Sequence, residues 1–141
     1  MPILDKMETC IFCKIINGDV PCDKVYEDDK TLAFLDLNPV ARGHTLVIPK
    51  KHFETMDEMD EETAAAVIET TQKIARAVLK FNDGYNVNQN NKPEAGQVVP
   101  HVHYHIVPRN SGDGLHYCWN KIDLSEKEID EVKVKIQTFL K

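Results

Sequence analysis

No stretch of this chain approaches the roughly 18 consecutive apolar residues that a membrane-spanning helix needs. Basic side chains are the scarcer charge: 17 Lys and Arg stand against 23 Asp and Glu, a formal net charge of −6. That balance argues against a general binder of nucleic acid or of membrane surfaces, while leaving room for a local basic pocket around a phosphate. Met1 to Thr9 is too polar for a signal peptide, and a cytoplasmic protein is expected. Cysteine is sparse, at positions 10, 13, 22 and 118. In a reducing compartment Cys10-x-x-Cys13 reads as a metal or redox pair before a structural disulfide, and Cys22 and Cys118 stand isolated. There is no repeat and no low-complexity segment. The length of 141 residues suggests one domain, 1–141, large enough to bury a core.

What is present is organised around residues 98–109, Val-Val-Pro-His-Val-His-Tyr-His-Ile-Val-Pro-Arg. His101, His103 and His105 alternate with Val102, Tyr104 and Ile106, a density of β-branched and aromatic residues that favours a strand. Successive strand side chains point to opposite faces, so the imidazoles share one face and the apolar residues the other. Pro100 and Pro108 are expected to bound the run. A single strand histidine is usually structural, but three in strict alternation point to chemistry. A histidine-rich metal-binding edge is the alternative; a purification tag would lack the interleaved hydrophobic residues.

Along the rest of the chain, residues 1–9 are expected to be loose. Cys10 to Asn17 forms a short helix with Ile11, Ile15 and Ile16 at helical spacing and Gly18 after its end. Residues 25–27 and 31–35 form a hairpin about Asp28-Asp29-Lys30. A loop from Asn38 to Gly43 leads to a strand over 44–49, and Lys50-Lys51 reads as a solvated pair. The main helix covers 60–81, with Asp60 as N-cap and Ala64, Val67, Ile68, Thr71, Ile74, Ala75, Val78 and Leu79 as its core stripe. A strand over 85–89 pairs antiparallel with the histidine strand across a polar loop. Residues 110–124 are irregular, with an aromatic cluster of His116, Tyr117 and Trp119. A last helix runs from Ser125 to about Leu140, with Ser125 and Glu128 at capping-box spacing and Ile129, Val132, Ile136 and Phe139/Leu140 as its apolar side. The order gives an α+β fold, a mostly antiparallel sheet covered on one side by helices.

The histidine face can bind a metal or attack an electrophile. An imidazole that attacks phosphorus forms a covalent phospho- or nucleotidyl-histidine, and neighbouring imidazoles can donate to phosphoryl oxygens or the leaving atom. His103, in the centre, is the geometric favourite for nucleophile, with His105 serving the phosphate or the leaving group. Gly96, in Ala95-Gly96-Gln97, lets backbone N–H groups approach an anion, with the Asn90 amide beside it, although a plain turn reads equally well. Cys10, Cys13, His52 and one triad histidine could make a Cys2His2 zinc set; a free thiol pair on the first helix fits the spacing as well.

His101-Val-His103-Tyr-His105-Ile-Val resembles the signature of the histidine triad (HIT) superfamily. Cys10-Ile-Phe-Cys13-Lys-Ile-Ile, Phe34-Leu-Asp-Leu-Asn-Pro39, Gly43-His-Thr-Leu-Val-Ile-Pro-Lys-Lys-His52 and Ala95-Gly-Gln-Val-Val-Pro-His101 look like further family blocks, so the resemblance covers about residues 10–109. Beyond it, the tail 110–141 is less diagnostic, although Gly112-Asp-Gly114 and Trp119 look like bacterial members. The resemblance implies a five-stranded HIT-like fold with one long helix and a C-terminal helix, and a homodimer whose sheet continues across the interface. It implies a purine nucleotide hydrolase or transferase acting at the α-phosphate, of the nucleoside 5′-phosphoramidate type, through a nucleotidyl-histidine. The alternatives are a dinucleoside polyphosphate (diadenosine tetraphosphate-like) hydrolase, a non-catalytic purine-nucleotide-binding module and a zinc-only structural domain. By position, His103 matches the nucleophile, His101 and His105 its flanking partners, and His44 the fourth family histidine. Asp36 and Leu37 match residues that hold ribose and base, and Asn90, Gly96, Gln97 and Val98 match phosphate-side contacts. Val98 departs from many members, which carry Ser there. Some bacterial members hold a structural zinc, and its ligands match Cys10, Cys13, His52 and His101. The chemistry itself then needs no metal. Neither nucleic acid nor membrane is expected as a partner.

Overall fold

The computed structural model describes residues 3–140, with side chains described from Lys6 onward. Two short helices, α1 (Ile3–Thr9) and α2 (Ile11–Ile16), precede a hairpin of β1 (Lys24–Glu27) and β2 (Thr31–Leu35). β3 (Thr45–Pro49), the long helix α3 (Glu61–Val78), β4 (Gly84–Gln89), β5 (Tyr104–Arg109) and a final helix α4 (Glu126–Phe139) follow. All neighbouring strands pair antiparallel in the order β1-β2-β3-β5-β4. This is the expected α+β architecture. Among the described residues no helix is long and apolar enough to cross a membrane.

Local chemistry sets the element ends. Asp60 accepts from the Thr63 N–H at 2.7 Å and starts α3. Ser125 and Glu128 close a reciprocal capping box on α4. Alternation along the strands then divides the core in two. Leu32, Phe34, Leu46 and Ile48 pack on Phe12, Cys13 and Ile15 of α2. Ala33, Val47, Tyr104 and Ile106 pack on Val67 and Val78 of α3.

Several expectations are corrected here. The sheet is covered on both faces, by α3 on one and α2 on the other. Residues 3–9 are helical, with Lys6 tied to Glu54 at 3.2 Å; Met1 and Pro2 lie outside the described residues. Phe12, not Ile11, is the buried residue at the start of α2. On α3, Ile68 and Leu79 point out to solvent, and Thr63 and Thr70 are buried instead. Residues of α4 are all exposed, so its apolar side covers nothing among the described residues. The aromatic cluster does not form: Tyr117 stacks over Arg109 and accepts from the Asn88 amide at 2.6 Å, while Trp119 is 93 % exposed.

The histidine strand is also shorter than its pattern. It enters the ladder only at Tyr104, because the Val102 N–H donates to the Phe53 carbonyl at 2.8 Å and the His101 N–H to Val99 at 2.8 Å. Pro100, which has no N–H, lies outside the ladder, as expected. Pro108 lies inside the strand, beyond the last β3 pair at Ile106, where only β4 remains a partner. Gly43 makes that close approach possible: it sits at φ +91°, and a Cβ there would stand 3.3 Å from the Pro108 ring.

Candidate active site and metal site

Residues 101–106 keep their alternation although half of them lie outside the ladder. Val102, Tyr104 and Ile106 enter the α3-side core. The three imidazoles face the α2 side, where the Phe12 ring stands edge-on to His101 at 5.7 Å and to His103 at 5.1 Å between centroids. His103 and His105 follow at 5.0 Å. The apolar neighbours hold the segment down, and Phe12 spaces the rings.

Hydrogen bonds fix which nitrogen of each ring carries the proton. The His103 Nδ1–H donates to the His101 carbonyl at 2.7 Å, so the Nε2 lone pair of neutral His103 is free. The Val40 N–H donates to His44 Nδ1 at 3.2 Å, which puts the His44 proton on Nε2. That proton reaches His105 Nδ1 at 2.9 Å and leaves His105 with Nε2–H as its donor. Asp36 Oδ2 lies 3.5 Å from His44 Nε2 and 3.9 Å from His105 Nδ1, while its Oδ1 accepts from the Asn38 N–H at 2.8 Å.

A cavity of about 410 Å³ opens in front of these rings. Its wall includes Asp36, Leu37, Asn90, Gly96, Val98, His103 and His105, seven of the expected nucleotide-side residues. Three expected residues are not on it. His44 stands behind His105. Gln97 is buried and clamps its own loop: it donates to the Glu54 and Val99 carbonyls at 2.7 and 3.1 Å and accepts from the Lys92 N–H at 2.7 Å. That clamp accompanies a positive φ of 75° at Lys92. The His101 ring is turned away from the cavity, and only its carbonyl reaches the nucleophile candidate. Sequence reasoning missed the apolar part of the wall, where Phe12, Ile15, Phe34 and Leu46 offer a surface for a flat ring. Phe12 was legible only as one more apolar residue between the cysteines. Lys50 and Lys51 lie elsewhere, in surface pairs with Glu27 and Asp60.

Burial keeps these imidazoles neutral. It lowers His103 and His44, with Asp36 pulling both back up, and brings His105 to about 4, where the neighbouring His103 and His44 add to the effect. In an unfolded chain histidine titrates near ~6.5. Between these values the unfolded chain binds a proton that the folded chain refuses, so stability is full above about pH 6.5 and falls as pH drops toward 4. Counted in full, His105 alone accounts for about 3 kcal/mol of that loss. The urea midpoint, followed by far-ultraviolet circular dichroism, is expected to drop across this window and to drop less in His105→Gln. An equal drop in both proteins would show that His105 does not contribute.

A group of four possible metal ligands gathers behind the triad. Ligand atoms of Cys10, Cys13, His52 and His101 all lie within 4.8 Å of one another. Cys10 Sγ is 3.4 Å from His101 Nδ1, Cys13 Sγ is 3.3 Å from His52 Nδ1, and the two Nδ1 atoms are 3.1 Å apart. Tetrahedral zinc with Zn–S near ~2.3 Å and Zn–N near ~2.05 Å has S···N edges of about 3.5 Å and N···N edges of about 3.3 Å, so the set fits a Cys2His2 centre. The His101 Nε2–H donates to the Pro49 carbonyl at 2.9 Å, which turns the Nδ1 lone pair toward the thiols. Without a cation, burial and the adjacent Cys10 push the Cys13 thiol up to about 12. Cys22 and Cys118 take no part.

A buried row of tautomer-fixed imidazoles at the mouth of an apolar cavity, on a five-stranded antiparallel sheet, defines a histidine triad protein. The chain belongs to that family: the HIT domain model matches residues 17–112. It is 42 % identical over 134 residues to adenosine 5′-monophosphoramidase hnt1 of Schizosaccharomyces pombe, covering 94 % of this chain and 99 % of that one. A crystal structure of a HIT family member from Bacillus subtilis superposes with a TM-score of 0.88 at 43 % identity, covering 94 % and 98 % of the two chains. A zinc-bound histidine triad family protein from Mycobacterium smegmatis superposes with a TM-score of 0.75 at 36 % identity, covering 94 % and 98 %.

Proposed function

We propose that this chain hydrolyses purine nucleoside 5′-phosphoramidates at the α-phosphate through a covalent intermediate on His103. The observation that carries the reading is the Nδ1–H bond from His103 to the His101 carbonyl, which presents a neutral Nε2 lone pair to the cavity. The base lies on the apolar wall, Asp36 and Leu37 take the ribose side, and Asn90 with the backbone at Gly96 meets the phosphate. Gly96 is at φ +90°, and a Cβ there would touch the Asn90 amide at 3.6 Å. His103 Nε2 forms a bond to phosphorus as the phosphorus–nitrogen bond of the substrate breaks. His105 gives its Nε2 proton to the departing amine. Water then attacks phosphorus, returns a proton to His105, and releases the nucleoside monophosphate and free His103. The hnt1 relative, an adenosine 5′-monophosphoramidase by name, supports this choice of substrate.

The test is turnover of an adenosine 5′-phosphoramidate beside a diadenosine polyphosphate. The phosphoramidate is expected to be cleaved at least about tenfold faster in kcat/KM, the size of discrimination that about 1.4 kcal/mol supplies. The reverse order would favour the dinucleotide reading, and cleavage of neither would favour a binding module.

In the same reading Cys10, Cys13, His52 and His101 hold a structural zinc that anchors the root of the catalytic segment. A second copy of the chain adds to the free edge of β4. Tyr85 and Val87 on that strand, with Leu79 and Phe81 just before it, are exposed apolar residues beside an unpaired ladder. The protein works in the cytoplasm, without nucleic acid or membrane.

A further inference from the structure

A second cavity, of about 430 Å³, lies across Val98 from the first. The two share one wall, formed by Ile11, Val98 and Val99. Beyond that wall the second cavity carries Lys6 from α1 and Glu54 from the segment after β3. We infer that this cavity receives the leaving group of the substrate, and that Lys6 selects leaving amines that carry a carboxylate. The inference rests on the phosphoramidate reading above and deepens it.

The path follows from the shared wall. A substrate with its nucleoside in the first cavity and its α-phosphate before His103 can lay the remaining group over Ile11 and Val98 into the second. Val98 is 88 % exposed at this rim and offers no hydroxyl, so its side chain can only supply an apolar surface for an alkyl stem. Polar recognition has to come from the rest of the lining, where Thr9, Cys10 and His52 are neutral groups and Lys6 and Glu54 carry the charge.

The charges select the sign and number. Glu54 lies between two lysines, with Oε2 at 3.2 Å from Lys6 Nζ and Oε1 at 3.9 Å from Lys92 Nζ. The Lys6–Glu54 pair is 47 % and 29 % exposed, and ion pairs this open hold weakly. Lys6 can therefore turn to a substrate carboxylate while Glu54 keeps Lys92. A polyphosphate tail would bring several negative charges to one released lysine. It would also face Glu54 and Glu58, whose Oε2 accepts from the Glu54 N–H at 3.3 Å. One carboxylate on an alkyl amine matches the site; a chain of phosphates does not.

The experiment uses the full chain and adenosine 5′-phosphoramidates of ω-amino acids of increasing length, each beside its uncharged carboxamide. The readout is the ratio of kcat/KM for acid over amide, which cancels any change in folded fraction. At low salt the wild type is expected to prefer the acid by about fivefold at the best length, the upper range for a partly exposed pair. Lys6→Met should bring the ratio to about one, Lys6→Arg should keep it, and Lys6→Glu should invert it. Turnover of both series with a wild-type ratio near one, or a preference that survives in Lys6→Met, overturns the leaving-group assignment and leaves the phosphoramidase reading intact. Failure to cleave any phosphoramidate overturns both.

Discussion

His103→Ala is expected to lower kcat by at least about a thousandfold, because no other group in the cavity can take over the attack on phosphorus. His105 is the nearest imidazole, but its Nδ1 accepts the His44 proton and its Nε2 carries hydrogen, so it has no lone pair to offer without losing its own partner. The His101 lone pair faces the two thiols. Nucleotide affinity should stay within about threefold, since base, ribose and phosphate are held by other groups and the deletion removes only one ring from the wall. Rapid-quench kinetics on the phosphoramidate and titration with nucleoside monophosphate separate the two quantities. Hydrolysis at an undiminished rate would refute the nucleophile assignment. Rates and affinity falling together by the same factor would place His103 in binding alone.

The second large effect concerns the four-residue cluster. Protein purified without chelator is expected to carry about one zinc per chain, and removing it should lower unfolding free energy by about 4 kcal/mol when free zinc stood at about a thousand times its dissociation constant. The cause is the cost of what remains: two buried thiols beside a buried His101 and a half-buried His52 whose Nδ1 atoms stand 3.1 Å apart. Cys13→Ser should lose zinc and stability together. If that variant fails to fold, stripping the wild type with chelator and restoring it with zinc gives the same measurement reversibly. A melting temperature indifferent to both chelator and added zinc would mean that the cluster is a thiol pair and nothing more. In metal-free protein that remains folded, residual turnover tells how far the anchoring of His101 matters to His103.

Features set by a few adjacent residues could be read from the chain. Strand β2 has the expected limits, Asp60 and Ser125 cap the helices foreseen for them, and the two faces of residues 101–106 alternate as their spacing requires. Features set by distant partners could not. The ladder begins at Tyr104 and not just after Pro100 because the Phe53 carbonyl, about fifty residues away in sequence, captures the Val102 N–H. Gln97 looked like a phosphate contact, yet its amide closes a loop through Glu54 and Lys92. Phe12 gave no signal of its own, because its place between two imidazoles depends on how α2 lands on the sheet. The family pattern placed four ligands far apart in sequence into one cluster, which spacing alone had left open. The apolar side of α4 was foreseen, but the periodicity that reveals such a stripe says nothing about what covers it.

The alternation at residues 101–106 binds reactive and packing side chains into one rigid strip. Val102, Tyr104 and Ile106 sit under α3, each one peptide away from an imidazole on the opposite side. A methyl group gained or lost in that layer would shift the strip as a whole, and the rings would move with it. Evolution therefore has little freedom to retune the interior beneath α3 without also altering the aim of His103, so drift in this layer should be slow even though none of its side chains meets a substrate.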